Sequence, residues 1–146
     1  MTLEKIIEIN DLEFTYNGNV KTTLHDINLN LEKGQSLGIT GESGSGKTTL
    51  GLQLLRLANG TTNGVIRFLG ENILELDEDK LRDFRWTKVS MCFQNNLEAL
   101  NPVYSVREQV AEPIVSHGLM TQEEADKRAE ELLTRFSITR FDAYPH

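Results

Sequence analysis

Gly41-Glu42-Ser43-Gly44-Ser45-Gly46-Lys47-Thr48 is the stretch whose residue types and spacing could do chemistry. It fits the pattern G-x-x-x-x-G-K-[ST] at every fixed position. Polyphosphate is held by several donors converging on one point. Successive backbone N–H groups converge only where side chains leave the approach open, which Gly44 and Gly46 allow. A helix opening near Lys47 would add its uncapped first-turn N–H groups and the positive end of its dipole. Lys47 would reach the terminal phosphates, and the Thr48 hydroxyl would sit on Mg²⁺. With Thr49 as the next residue of that turn, Gly41 to Thr49 reads as a nucleoside triphosphate site. The competing reading is a flexible Gly/Ser linker. The flanks argue against it, with Leu37 and Ile39 before the loop and Leu50, Leu52, Leu54, Leu55 and Leu57 after it.

The elements that must position this loop are legible as pattern. Ile6-Ile7-Glu8-Ile9 and Leu12-Glu13-Phe14-Thr15-Tyr16 alternate apolar and polar residues with a phase slip at Asn10-Asp11, and Asn17-Gly18-Asn19 reads as a turn. Ile27 to Leu31 alternates more strictly, Lys33-Gly34 closes it, and Ser36 to Thr40 is predicted to be the strand feeding the loop. Thr48 to Ala58 is predicted as a buried helix ended by Asn59-Gly60 and Asn63-Gly64, with strand resuming over Val65 to Leu69. Asp77 is placed to N-cap a helix from Glu78 to about Trp86, Trp86 itself packing inward. Val89 to Phe93 reads as a compact strand that buries Cys92 and ends at Gln94, and Asn95 to Tyr104 reads as loop. Ser105 with Glu108 and Thr121 with Glu124 announce two capped helices. Pro113 shortens or kinks the first, and Ala125, Ala129, Leu132, Leu133 and Phe136 form the apolar face of the second.

Composition narrows the function classes. A chain of 146 residues is about one domain. Its 15 basic and 22 acidic residues give a net charge of −7 with no basic run, which does not suit a general nucleic-acid surface. Cys92 is the only cysteine, so no internal disulfide forms and a reduced cytosolic compartment fits. The amino terminus, Met1 to Phe14, carries Glu4, Glu8 and Glu13 among its isoleucines, unlike an ordinary signal peptide, and no apolar run approaches membrane-spanning length. Any link to a membrane is therefore expected to run through a partner. Asp77, Glu78 and Asp79 suit a helix start better than a metal cluster, and His25, His117 and His146 lack metal-ligand spacing.

Taken together, Leu12 to Tyr16, the Gly41 to Thr48 loop, Cys92-Phe93-Gln94, Leu100-Asn101-Pro102-Val103 and Ala111-Glu112-Pro113-Ile114 with His117-Gly118-Leu119 resemble the first part of an ATP-binding cassette (ABC) transporter ATPase subunit. The last two point to the branch energising oligopeptide, dipeptide and nickel importers. The resemblance implies an α/β phosphate-loop NTPase core with an antiparallel β subdomain. Residues 1–104 would form the strand-rich part and the phosphate-loop core, and 105–146 the beginning of a helical subdomain. It implies ATP and Mg²⁺ as ligands. Tyr16, on its own an ordinary strand tyrosine, matches the family's adenine-stacking aromatic. Gln94 matches the glutamine that touches Mg²⁺ or the attacking water, so the implied metal contacts are Thr48 and Gln94. The implied partners are transmembrane permease subunits, met through the loop from Gln94 to Tyr104, and a second ATPase subunit. The location would be the cytoplasmic face of the cell membrane.

The family pattern continues beyond the equivalent of Tyr144-Pro145-His146 with a Leu-Ser-Gly-Gly-Gln signature, an apolar strand ending in Asp-Glu and a switch histidine. None of these is among the 146 residues, so the sequence is read as a first portion with no catalytic residue of its own. Two rival readings stay open. One is another phosphate-loop enzyme, a small-molecule kinase or a GTPase, although no Asn-Lys-x-Asp string for guanine is present. The other is a module that holds nucleotide, or a regulatory partner, without turning nucleotide over.

Overall fold

The computed structural model describes residues 4–93 and 100–145, which fall into two compact units, Met1–Val89 and Ser90–His146. The first is built on β1 (Lys5–Tyr16), which pairs antiparallel with β2 (Leu24–Glu32) on one side and β3 (Gly60–Phe68) on the other. A two-residue β4 (Glu71–Asn72) extends the sheet to the order β2-β1-β3-β4. The phase slip seen in the sequence is a bulge. Asp11 turns to φ 49 and its N–H bonds the Asn28 side chain at 2.9 Å, so Ile9 falls on the same face as Leu12 and Phe14. Gly64 faces the bulge from β3 at φ 93, and a Cβ there would collide with the Asn10 and Asp11 carbonyls.

The buried face gathers Ile9, Leu12, Phe14, Leu24 and Ile66, covered by Leu50, Leu55, Ile73, Leu81 and Phe84. Leu50 comes from α1 (Lys47–Gln53) and Leu81 and Phe84 from α2 (Glu78–Thr87). As expected, Asp77 caps α2, its carboxylate accepting the Lys80 N–H at 2.9 Å. The helix predicted over Thr48 to Ala58 is shorter. It ends in a Schellman turn, with Leu57 N–H on Leu52 O and Arg56 N–H on Gln53 O, and Arg56 rather than a glycine takes φ 49. Two arginines compensate that strained residue. The Arg56 guanidinium donates to the Leu76 carbonyl at 2.7 Å, and Arg85 donates to the carbonyls of Leu55 and Arg56 at 2.7 and 2.8 Å. Chain released early from the helix joins the sheet early, so β3 starts at Gly60 rather than Val65.

Two predicted strands are not strands. Ser36–Thr40 and Val89–Phe93 are irregular, because a strand exists only through a ladder partner and neither segment has one among the described residues. Leu37, Ile39 and Phe93 are accordingly about half exposed. Cys92, expected to be buried, is exposed, and Trp86 is half exposed at the edge of α2.

In the second unit α3 (Val106–Ser116) and α4 (Gln122–Arg135) pack through Ala111, Ala125 and Ala129, whose small side chains let the helices approach closely. Pro113 does not shorten α3, which runs on to Ser116. Phe136, expected on the inner face of α4, lies beyond its last turn and is exposed. The start of α3 is covered twice. Val106 and Arg107 N–H groups reach the carbonyls of Ala143 and Phe141, and the Arg107 guanidinium bridges Glu130 at 2.9 Å and Asp142 at 2.6 Å.

Both capping boxes form as read. Glu108 accepts from the Ser105 hydroxyl and N–H, and Glu124 from the Thr121 N–H and hydroxyl, which holds both carboxyls below their ordinary range. A carboxylate depressed in the folded state adds stability above its unfolded pKa of about 4.3, and that contribution is lost as pH falls through the folded value. Helix content followed by circular dichroism is therefore expected to fall on acidification below about pH 4.3. The Glu108→Gln/Glu124→Gln variant should lose less over the same interval. Ser105→Ala should cost about 1 kcal/mol at neutral pH. An identical acid profile in the double variant would contradict this account.

Candidate phosphate-binding site

Gly41 to Thr48 joins the irregular Gln35–Thr40 segment to α1. Its glycines are needed for backbone shape. Gly44 and Gly46 take φ 81 and 94, in the left-handed region, and a Cβ on Gly46 would lie 2.8 Å from Leu24 Cδ2 and 3.3 Å from the Thr23 carbonyl. At Gly41 a Cβ would lie 2.8 Å from Ser45 Oγ. The loop is thus a cradle closed beneath by β2 and its preceding turn, with Glu42, Ser43 and Gly44 exposed along its rim.

Lys47 folds back over this cradle. Its ammonium donates to the carbonyls of Gly41 at 2.8 Å and Glu42 at 2.7 Å and to Ser45 Oγ at 3.3 Å. Those acceptors hold the ammonium over the loop, and a phosphate entering there would have to take it over from them. No side chain caps the start of α1, whose N-cap is Gly46. Thr48 is exposed there, offering a hydroxyl oxygen of the kind Mg²⁺ takes beside waters and phosphate oxygens. The donor set and the cradle therefore fit Mg²⁺-polyphosphate.

Of the residues singled out from sequence, Gly41, Glu42, Ser45 and Lys47 are brought together by the lysine. Tyr16 and Thr49 meet hydroxyl to hydroxyl at 3.1 Å. Ser43 and Gly44 lie on the rim and Thr48 at the helix start. Gln94 falls outside the described residues. The Tyr16–Thr49 contact was not readable, since the two are distant in sequence and neither has a partner type that announces the other. A groove of about 600 Å³ in the second unit is lined by Tyr104, Arg107, Glu112 and Asp126 among others. None of the phosphate-loop residues belongs to it, and its mixed charge offers no counterpart to a polyphosphate.

A family model described as ABC transporter matches residues 24–145. The chain is 36% identical over 151 residues to a probable peptide ABC transporter ATP-binding protein, y4tR, of Sinorhizobium fredii, covering 97% of this chain and 45% of that protein. It is 38% identical over 157 residues to the dipeptide transport ATP-binding protein DppD of Lactococcus lactis, covering all of this chain and 45% of that protein. The chain thus spans about half the length of these curated relatives. Among solved structures, the ATP-binding cassette MJ0796, a dimer in a post-hydrolysis state bound to ADP and Pi, superposes with a TM-score of 0.79 at 29% identity, over 96% of this chain and 61% of that one.

Proposed function

The chain belongs to the ABC transporter family, with the fold of that family's phosphate-loop ATPases, and from that premise we propose that it is the nucleotide-binding part of an importer's ATPase subunit. Its parent would bind Mg-ATP and couple hydrolysis to the movement of a solute across a membrane. A peptide-type solute is supported by the peptide and dipeptide transport names of the relatives. The observation that carries the reading is the cradle itself, in which Lys47 Nζ is held at 2.7 and 2.8 Å by two loop carbonyls in a loop whose Gly44 and Gly46 take left-handed φ. In this proposal Gly41 to Thr49 hold the phosphates, Tyr16 stacks on adenine, and Thr48 and Gln94 contact Mg²⁺. The ion, when bound, draws charge from the phosphate oxygens and orients them.

The proposed partners are permease subunits, through the loop from Gln94 to Tyr104, and a second ATPase subunit facing the nucleotide. Leu100, Val103 and Tyr104 are exposed apolar groups in that loop, suited to a docking surface. We place the start of the helical subdomain at Ser105. Among the described residues no helix is long and apolar enough to cross a membrane. The proposed place is the cytoplasmic face, held through partners.

Base choice tests the reading. An aromatic face recognises any purine by stacking, so calorimetry should show ATP and GTP binding with similar affinity, and Tyr16→Ala should weaken both by about two- to tenfold. A strong preference for guanine that survives Tyr16→Ala would favour the GTPase rival.

A further inference from the structure

The ring of Tyr16 is held from three directions. Its backbone lies in β1 opposite Gly60, Phe14 meets it edge to face at 4.8 Å and 80°, and its hydroxyl lies 3.1 Å from Thr49 Oγ1. Phe14 is wholly buried and Thr49 is 7% exposed, so neither can move without disturbing the core. A buried hydroxyl keeps a hydrogen-bond partner, and the Tyr16 phenol is the partner present. One turn further along the same face of α1, Gln53 is buried and its Oε1 accepts from Thr62 Oγ1 of β3 at 3.2 Å. Two polar links one turn apart therefore fix the rotation of α1 against the sheet, and the first of them ends on the aromatic ring.

We infer that Thr49 is a positioning residue. Its side-chain hydroxyl ties the Tyr16 ring to the first turn of α1, so that the stacking face and the phosphate cradle keep a set separation before any ligand arrives. The inference rests on the nucleotide reading above. A ligand with both base and phosphates must satisfy both surfaces at once, and ordering the ring beforehand removes that cost from binding. Inorganic triphosphate, which has no base, uses the cradle alone.

The experiment is calorimetric titration of the 146-residue chain with Mg-ATP and with Mg-triphosphate, using wild type, Tyr16→Phe, Thr49→Val, Thr49→Ser and the Tyr16→Phe/Thr49→Val double variant. Tyr16→Phe keeps the stacking face, and Thr49→Val keeps the shape while removing the hydroxyl. Each is expected to weaken ATP by about three- to tenfold, the yield of one hydrogen bond. The double variant should be no weaker than either single, because both remove the same link. Thr49→Ser should restore ATP affinity, and triphosphate should bind wild type and Tyr16→Phe, whose change lies outside the cradle, within about twofold, a bound set by the usual error of additivity. Losses that add in the double variant, unchanged ATP affinity, or a loss of triphosphate in Tyr16→Phe equal to that of ATP would overturn the coupling. Wild-type binding of both ligands with unaffected variants sinks only the coupling, whereas wild-type binding of neither removes the nucleotide reading and the coupling with it.

Discussion

Lys47→Ala is expected to remove most of the stabilisation of the chain by ATP while leaving the stability of the free chain nearly unchanged. A ligand at a hundredfold excess over its dissociation constant stabilises the protein that binds it by about 2.7 kcal/mol. For a chain of this size that raises the melting temperature by about 5–10 °C. The ammonium of Lys47 carries the loop's only positive side chain, and a charged hydrogen bond to phosphate contributes about 1.5–3 kcal/mol. Removing it should weaken ATP by about one to two orders of magnitude, which at the same ATP concentration leaves only about 0.4–1.4 kcal/mol of the stabilisation. In the free chain Lys47 donates to the carbonyls of Gly41 and Glu42 and to Ser45 Oγ. Those groups are exposed, so water replaces the lost donor at little cost. Scanning calorimetry of both proteins with and without Mg-ATP separates the two effects. Equal thermal shifts in wild type and variant would show that ATP binds elsewhere.

What was legible in the sequence was what a few neighbouring residues determine. The phosphate loop is decided within about eight consecutive residues and the Asp77 cap and the two capping boxes within about four, and the bulge at Asn10-Asp11 shows as a break in a two-residue alternation. Elements whose existence depends on a distant partner were misread. Leu37 and Ile39 alternate as a strand should, yet alternation expresses only a tendency to be half buried, and no ladder partner reaches them among the described residues. The same holds for Val89 to Phe93, and with it for the burial of Cys92. Helix ends were misjudged for a different reason. Arg56 and Ser137 take the left-handed position that a glycine usually marks, while Gly118 takes it after α3. At Arg56 the reason is tertiary, since Arg85 arrives from α2 to satisfy the freed carbonyls. The contact that joins Tyr16 to Thr49 belongs to the same class, a pairing made by the fold between residues that carry no local sign of it.

The second large effect concerns turnover: these 146 residues are expected to bind Mg-ATP without hydrolysing it at a useful rate. Phosphoryl transfer to water is accelerated by placing the water in line with the terminal phosphate, by taking its proton and by spreading the charge of the transferring group. The cradle and Lys47 act on the phosphates, and Thr48 supplies an oxygen for Mg²⁺. Groups of this kind hold ground state and transition state about equally, and uniform binding leaves the barrier where it was. The 146 residues contain no run of four apolar residues ending in an acid that could set a carboxylate beside the water; Ile73-Leu74-Glu75-Leu76-Asp77 is interrupted by Glu75. The proposed role of Gln94 does not fill this gap, because a neutral amide orients water but does not accept its proton. A typical enzyme turns over at about 10 per second, and a missing general base removes about 10²–10⁴-fold. Phosphate release by the purified chain should therefore be at or below about 0.1 per second, a ceiling taken from the same two figures. Lys47→Ala serves as the control for contaminating ATPase, since it leaves every property of the preparation but the cradle. Release near about one per second, within the ordinary enzymatic range, that vanishes in Lys47→Ala would mean that a residue within this chain takes the proton. The search would then begin with the acidic groups nearest the loop in sequence, of which Glu42 on its rim is the first.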